Sequence, residues 1–381
     1  MWLISSLSLL RFYIFVIRHR KKIIGKPLRT RFRTPEIIFQ ITTKGRIPIV
    51  QKTIDRLNEV CKKIRYSKYE VWVVTDADEE FQSCRTIRVT PKYSCNAIFK
   101  GRALQYGVEI RKLEKKNTGG TYVFHLDDES LVTQSTVCNI LSFLEDSPAP
   151  ISEGLILYPL AENDTIKISN LLDTIRPFCC FECVDFMNKG NPAYLHGSNL
   201  LVRSDVEEQV GWDNGETIAE DSLFAIKARR KLGSDLFGWH GGVVEEKSPH
   251  NLRDTMRQRK RWFYGLIQNL KYLCLKDKII QIIRALIWSL GFVSGIISLL
   301  SLFIFQEIPF FLRIFFLFAS ILWLLSYQIG AYLNSAYLSR SRRLKFHLAT
   351  LLFSPIISLL ECSFPILAML QKPKTFEVID K

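Results

Sequence analysis

Residues 123–130, VFHLDDES, form a short apolar run that ends in Asp127, Asp128 and Glu129. Three adjacent acids at the end of a buried strand repel one another and lose hydration, so a cation or the amides of a turn must compensate them. A hard divalent cation, Mg or Mn, takes carboxylate oxygens together with substrate phosphates, which makes Asp127 and Glu129, flanking Asp128, candidate ligands. A solvated acidic turn is the alternative, and the motif alone does not exclude it.

Other residues with chemical potential recur at comparable places. EIIFQITTKGR (36–46) reads as a buried strand running into a turn at Thr43, and EVWVVTDADE as a second strand that ends in Asp76 and Asp78. Gly197 and Ser198 precede an apolar strand and would let backbone approach a ligand closely, although a plain turn uses small residues just as often. In TIAED, Thr217 is placed to cap a helix that carries Glu220 and Asp221 in its first turns, where acids ordinarily serve the helix dipole. RQRKRWFYG is basic and aromatic, and reads as an interfacial helix with snorkelling cations. Cys179, Cys180 and Cys183 cluster, but a zinc site would need a fourth ligand such as His196, and small apolar side chains on a helix explain the cluster equally well.

The elements that must position these residues alternate. The strand at 36–43 is followed by helical spacing of Ile54, Leu57, Val60, Cys61 and Ile64, then by the second strand, by a helical KGRALQYGVEI (100–110), and by the strand that ends at Asp127. GLILYP precedes a helix expected over 166–188. The class is α/β, a mainly parallel sheet with helices on both faces, and ligands of such sheets bind beyond the carboxyl ends of the strands, where Thr43, Asp76, Asp127 and Glu129 gather.

The chain has 381 residues and a net charge of +15. Residues 285–305 and 314–339 carry no charge and 346–371 carry one acid, Glu361, so three stretches are long enough to span a bilayer. A fourth apolar run opens the chain and reads as a retained anchor, with its charges behind it. Residues 1–34, 251–284 and 338–347 hold +9, +7 and +4, more than the whole chain, so everything else is net negative. The basic excess is juxtamembrane, suited to anionic membrane lipid on the cytoplasmic side, and nucleic acid is excluded as a partner. Nine cysteines without regular spacing fit a reduced cytoplasmic domain. The expected domains are an anchor and basic segment (1–34), a catalytic domain (35–250), an amphipathic interfacial region (251–284), transmembrane helices (285–371) and a tail (372–381).

Taken in order, these motifs resemble the inverting family-two glycosyltransferases with a GT-A fold. HLDDES, HGSNLLVR, IAED and QRKRW are most similar to the egghead-type β-1,4-mannosyltransferases. The resemblance implies donor binding by Thr43, Asp76, Asp78, Lys100 and Asp128, with Lys100, Gly101 and Ala103 matching a diphosphate segment. It implies metal binding by Asp127 and Glu129, with Glu129 departing from the Asp common in the family. It places acceptor or diphosphate binding at Gly197, Ser198, Asn199, Gln258, Arg261 and Trp262. Catalysis falls to Asp221 as general base, with Glu220 beside it. The expected partners are a nucleotide-sugar donor, GDP-mannose among the candidates, a lipid-linked or membrane-proximal glycan acceptor, and membrane lipid. A processive polysaccharide synthase and a non-enzymatic nucleotide- or lipid-binding membrane protein are the rival readings.

Overall fold

The computed structural model describes residues 35–146, 149–192, 194–304 and 309–372, together with Leu10, Arg11 and Ile14. Most of the expected N-terminal anchor and most of the tail lie outside the described residues. The chain divides into two compact units, His19–Ile156 with Cys183–Glu246, and Leu157–Glu182 with Lys247–Lys381 and Met1–Arg18.

The first unit is built on β1 (Glu36–Thr43), α1 (Ile47–Lys63), β2 (Tyr69–Thr75), β3 (Arg85–Arg88), α2 (Phe99–Leu113), β4 (Thr121–Asp127), β5 (Leu131–Val132), α3 (Gln134–Asp146) and β6 (Ile151–Leu157). It continues, after a segment that belongs to the second unit, with β7 (Leu200–Arg203), α6 (Ser204–Val210), α7 (Glu220–Leu232) and β8 (Phe237–Glu245). The eight strands make one sheet in the order β3-β2-β1-β4-β7-β6-β8-β5. Ile37, Ile38, Phe39, Gln40 and Ile41 of β1 are all buried, as befits a central strand covered on both faces.

Strands β3, β2, β1 and β4 run parallel, which is the half that the strand and helix alternation predicts. β7 pairs antiparallel with β4 and with β6, and β5 pairs antiparallel with β8, so the sheet is mixed. The switch comes where the chain stops alternating. The glycine-rich GWHGGVV (238–244) lies within β8, and Gly154 on β6 shows why small residues are needed there. A Cβ on Gly154 would come within 2.1 Å of the Gly242 carbonyl.

The helices follow their spacing. α1 buries Val50, Ile54, Leu57, Val60 and Cys61 at three- and four-residue intervals. Between helices and sheet lies a buried polar knot: Arg111 of α2 binds Glu207 of α6 at 2.7 Å, and Glu207 also accepts from Trp212 at 2.6 Å and lies 3.0 Å from His125 of β4. Burial alone would raise the Glu207 carboxyl, but Arg111 and His125 outweigh it and hold its pKa down at about 2.

The second unit contains α4 (Ile168–Leu172), a 3₁₀ turn at Asp173–Ile175, the start of α5 (Arg176–Asn188), α8 (Leu252–Asn269), α9 (Leu275–Ile304), α10 (Phe310–Asn334) and α11 (Arg340–Leu370). The single helix expected over 166–188 is therefore divided. Pro177, in the first turn of α5, lacks the N–H needed to continue a helix from α4. α10 and α11 are long and apolar enough to cross a membrane. Large apolar side chains such as Phe310, Phe311, Ile314, Leu352 and Ile356 are exposed along them. Pro355 and Pro365 lie inside the continuous helix α11. The Leu351 carbonyl, whose partner Pro355 cannot supply, accepts from Ser354 Oγ at 2.8 Å.

Candidate active site

The acids at the end of β4 sit where a buried strand meets a tight turn, closed by a bond from the Ser130 N–H to the Asp127 carbonyl at 3.2 Å. The compensation that their sequence demands comes from nearby side chains. Lys100, at the start of α2, donates to Asp127 Oδ1 and to the Gly197 carbonyl at 3.0 Å. Thr43 Oγ1, at the end of β1, donates to Asp128 Oδ2 at 3.2 Å. Arg46 Nη1 lies 3.2 Å from Glu129 Oε2 and 3.6 Å from Asp128 Oδ1. Thr43, Lys100, Asp127, Asp128, Glu129 and Gly197 are thus joined in one network.

Glu220 and Asp221 open α7 on the same side. Thr217 does not cap that helix as its sequence suggests: its Oγ1 accepts from the Ala219 N–H at 3.1 Å, closing a turn just before the helix, and Ala219 is the capping position. Glu220 is 7% exposed and its Cβ would stand 3.4 Å from a Cβ on Gly101. Asp221 is less buried, and its Oδ2 would lie 3.2 Å from a Cβ on Gly197. The same Cβ would also come within 2.9 Å of Lys100 Nζ, so a larger residue at position 197 would push the lysine's end aside.

The charges are coupled. Burial, then the neighbouring Asp221 charge, raises the Glu220 carboxyl above the usual range, and burial raises Asp221 too. Burial works against the Lys100 ammonium, but Asp127, Glu220 and Asp221 together outweigh it and lift its pKa above the ordinary lysine value. One buried cation therefore serves three carboxylates, a balance that favours retaining protons on the acids or admitting further positive charge. Asp127 and Glu129 offer carboxylate oxygens, the donor type that a hard divalent cation takes.

Ser198 Oγ shares a 2.7 Å hydrogen bond with Ser130 Oγ, which donates to Glu246 at 2.8 Å. Asn199 is fully buried, and its amide donates to the carbonyls of Leu155 at 2.8 Å and Gly242 at 3.1 Å, so its side chain holds the sheet together. Asp76 accepts from Arg102 at 2.9 Å. Asp78, 93% exposed, pairs with Arg88 at 3.1 Å and does not join the acidic network through any contact seen among the described residues.

Gln258, Arg261 and Trp262 belong to the second unit, on α8, whose N-cap Asn251 accepts from the Asp254 N–H at 2.9 Å. Between them in sequence is Arg259, which is fully buried and donates to Gln258 at 2.7 Å, to Glu361 at 3.2 Å and to Asp173. Trp262 lies between two guanidinium groups, Arg176 at 4.2 Å and Arg259 at 4.5 Å from the ring centre. The sequence reading overlooked Arg46, Ser130, Glu246 and Arg259.

The sheet is parallel on one side and antiparallel on the other, with an acidic strand end met by a lysine at a helix start. The family model described as glycosyl transferase family group 2 matches residues 122–369, and the chain belongs to this family. It is 31% identical to β-1,4-mannosyltransferase egh of Drosophila melanogaster, over 69% of this chain and 59% of that protein. It is also 31% identical to β-1,4-mannosyltransferase bre-3 of Caenorhabditis elegans, over 61% and 53%. The chain thus matches a little over half the length of these relatives. Among solved structures, mannosyltransferase PcManGT from Pyrobaculum calidifontis in complex with GDP-Man and Mn²⁺ is similar with a TM-score of 0.46 and 14% identity, over 99% of this chain and 100% of that one.

Proposed function

We propose that the protein is a membrane-associated inverting glycosyltransferase that moves a sugar, mannose from GDP-mannose in the first instance, from a nucleotide-sugar donor to a lipid-linked or membrane-proximal glycan acceptor, forming a β-linkage. The observation that carries this reading is the meeting of Lys100 with the Asp127 carboxylate and the Gly197 carbonyl, electrostatically coupled to Glu220 and Asp221. Membership of the family and similarity to β-1,4-mannosyltransferases support the choice of sugar. The exposed apolar faces of α10 and α11 support the membrane.

Negative charge grows on the departing diphosphate as the donor bond breaks, and Lys100 is the chain's own cation for it. Asp127 and Glu129 would hold a divalent metal, which when bound neutralises the same phosphates. Asp76 and Thr43 belong to the donor side, Asp76 having its carboxylate fixed by Arg102. Asp221 takes the proton of the attacking hydroxyl, being the more open of the two acids, while Glu220 packs against Gly101. Gln258, Arg261 and Trp262 keep the acceptor or diphosphate role that the family motif implies. The catalytic unit faces the cytoplasm in this reading.

The test is a donor screen with purified membranes, measuring nucleoside diphosphate release across GDP and UDP sugars with acceptor lipids present. Release with GDP-mannose and a single added sugar is expected. Long polymer would make the protein a synthase, and binding without turnover would make it a sensor.

A further inference from the structure

Glu153, on β6, has no role in the chemistry above, yet it is fully buried. A buried carboxylate is costly unless several donors converge on it, and three do. The His196 backbone N–H and Nδ1 both bond to Oε1, the ring nitrogen at 2.6 Å, and the Cys183 thiol shares its proton between Oε2 and the Tyr194 carbonyl, each at 2.9 Å. With a carboxylate on Nδ1, that nitrogen carries the proton. Burial, and then Glu153 itself, pushes the Cys183 thiol well up, so the thiol remains a donor.

His196 opens the segment His196–Asn199, and the residues that follow lead into the candidate site. Gly197 carries the carbonyl that binds Lys100 and the backbone that abuts Asp221 Oδ2. Ser198 Oγ accepts from the Asp127 N–H at 3.4 Å. Asn199 returns to β6, its amide on the Leu155 carbonyl and its own carbonyl accepting from the Gly154 N–H at 3.1 Å. The segment is therefore fastened to one strand at both ends, by Glu153 in front and by Gly154 and Leu155 behind. Its middle carries the carbonyl that binds Lys100 and lies beside Asp221.

We propose that Glu153 is a positioning residue for sugar transfer: by clamping His196 it holds the Gly197 carbonyl against Lys100 and the loop backbone beside Asp221. The proposal rests on the transferase reading above. Glu153, Cys183 and His196 also have ligand atoms within 4.8 Å of one another, as a metal centre requires. However, donors on a tetrahedral zinc ion stand roughly 3.3–3.6 Å apart from its bond lengths. The separations of 2.6 and 2.9 Å here are those of shared protons.

The experiment compares full-length wild type, Glu153→Gln, His196→Ala and the double variant in detergent. It reads amide exchange over residues 195–199, melting temperature, kcat, donor KM and bound metal. Glu153→Gln should speed amide exchange in that segment and lower kcat about ten- to a hundredfold with donor KM nearly unchanged. The double variant should be no worse than the worse single one, because both remove the same clamp. Unchanged exchange, or faster exchange with unchanged kcat or additive losses, overturns the proposal. One equivalent of zinc that disappears in Cys183→Ala also overturns it, in favour of a metal centre. His196→Ala leaves the carboxylate with two donors and carries the same test if the Gln variant does not fold. Wild-type protein that releases no nucleoside diphosphate from any donor rejects the transferase reading, while the exchange measurement still decides whether Glu153 clamps the loop.

Discussion

Arg259 Nε donates to Glu361 Oε1 at 3.2 Å, joining α8 to α11 at a point where both side chains are buried. Glu361 is the one acid in the apolar stretch 346–371, and a lone carboxylate there would be costly. Its partner stands in the basic run QRKRW, and the same guanidinium also binds Asp173. One cation between two acids makes the loss unequal. Arg259→Met leaves Asp173 and Glu361 without that cation and should cost about 3–5 kcal/mol, whereas Glu361→Gln keeps the Asp173 pair and should cost less. Melting temperatures in detergent decide this, and equal losses in the two variants would contradict it.

Asp127→Ala and Glu129→Ala should each abolish metal-dependent donor binding while the protein stays folded. The two acids lie on a turn, paired with Lys100 and Arg46, so removing one leaves the core intact. Donor titrations with Mg or Mn, and again after EDTA, check the outcome. Full binding in EDTA by either variant would rule out metal ligation there.

The sequence made the parallel half of the sheet legible, because β1, β2 and β4 are apolar runs separated by helical spacing. It showed the apolar strand after Ser198 but not its antiparallel pairing, and it hid β8, which is broken by Gly238, Gly241 and Gly242. Acids at strand ends were visible as chemistry, since nothing in a strand's own pattern requires them. Their counterions were not, because Arg46 and Lys100 meet them only after a parallel crossover. Glu153 was invisible for a related reason: a polar residue within an apolar strand shows its purpose only when His196 and Cys183 are brought onto it. Arg259 looked like one more snorkelling cation, and its burial depends on Asp173 and Glu361, each about a hundred residues distant in sequence.

Glu220 gives the protein a predictable pH response. Its carboxyl is raised in the folded state by burial and by Asp221, so the native protein keeps a proton that the unfolded chain releases. The stability from that proton is complete below the ordinary carboxylate value of about 4.3 and is lost as pH rises through the raised value. Glu220→Gln should therefore melt above wild type at about pH 8 and level with it at about pH 4.5. A shift of equal size at both values would mean that packing, not protonation, is responsible.

Arg261→Lys distinguishes a recognition role from anchoring. A planar guanidinium binds a diphosphate through two parallel hydrogen bonds, which an ammonium cannot reproduce, so turnover should fall while membrane binding persists. An interfacial anchor needs only the positive charge and would tolerate the change. Turnover and membrane sedimentation of the variant answer the question together.

Asp221→Asn tests the general base. An acceptor hydroxyl is a poor nucleophile at neutral pH, and a carboxylate that takes its proton during attack is worth roughly a hundred- to ten-thousandfold in rate. Neighbouring residues on a helix point about 100° apart, so Glu220 and Asp221 do not share one direction. Glu220 is packed against Gly101 and nearly closed to solvent, whereas Asp221 keeps an open edge beside Gly197, with Oδ1 accepting from the Ser222 N–H at 2.7 Å. Asn preserves the shape and removes the basicity, so donor affinity should stay close to wild type while acceptor-dependent release of nucleoside diphosphate falls by the factor above. Glu220→Gln, measured beside it, should retain much more turnover, and the reverse ranking of the two variants would move the base to Glu220.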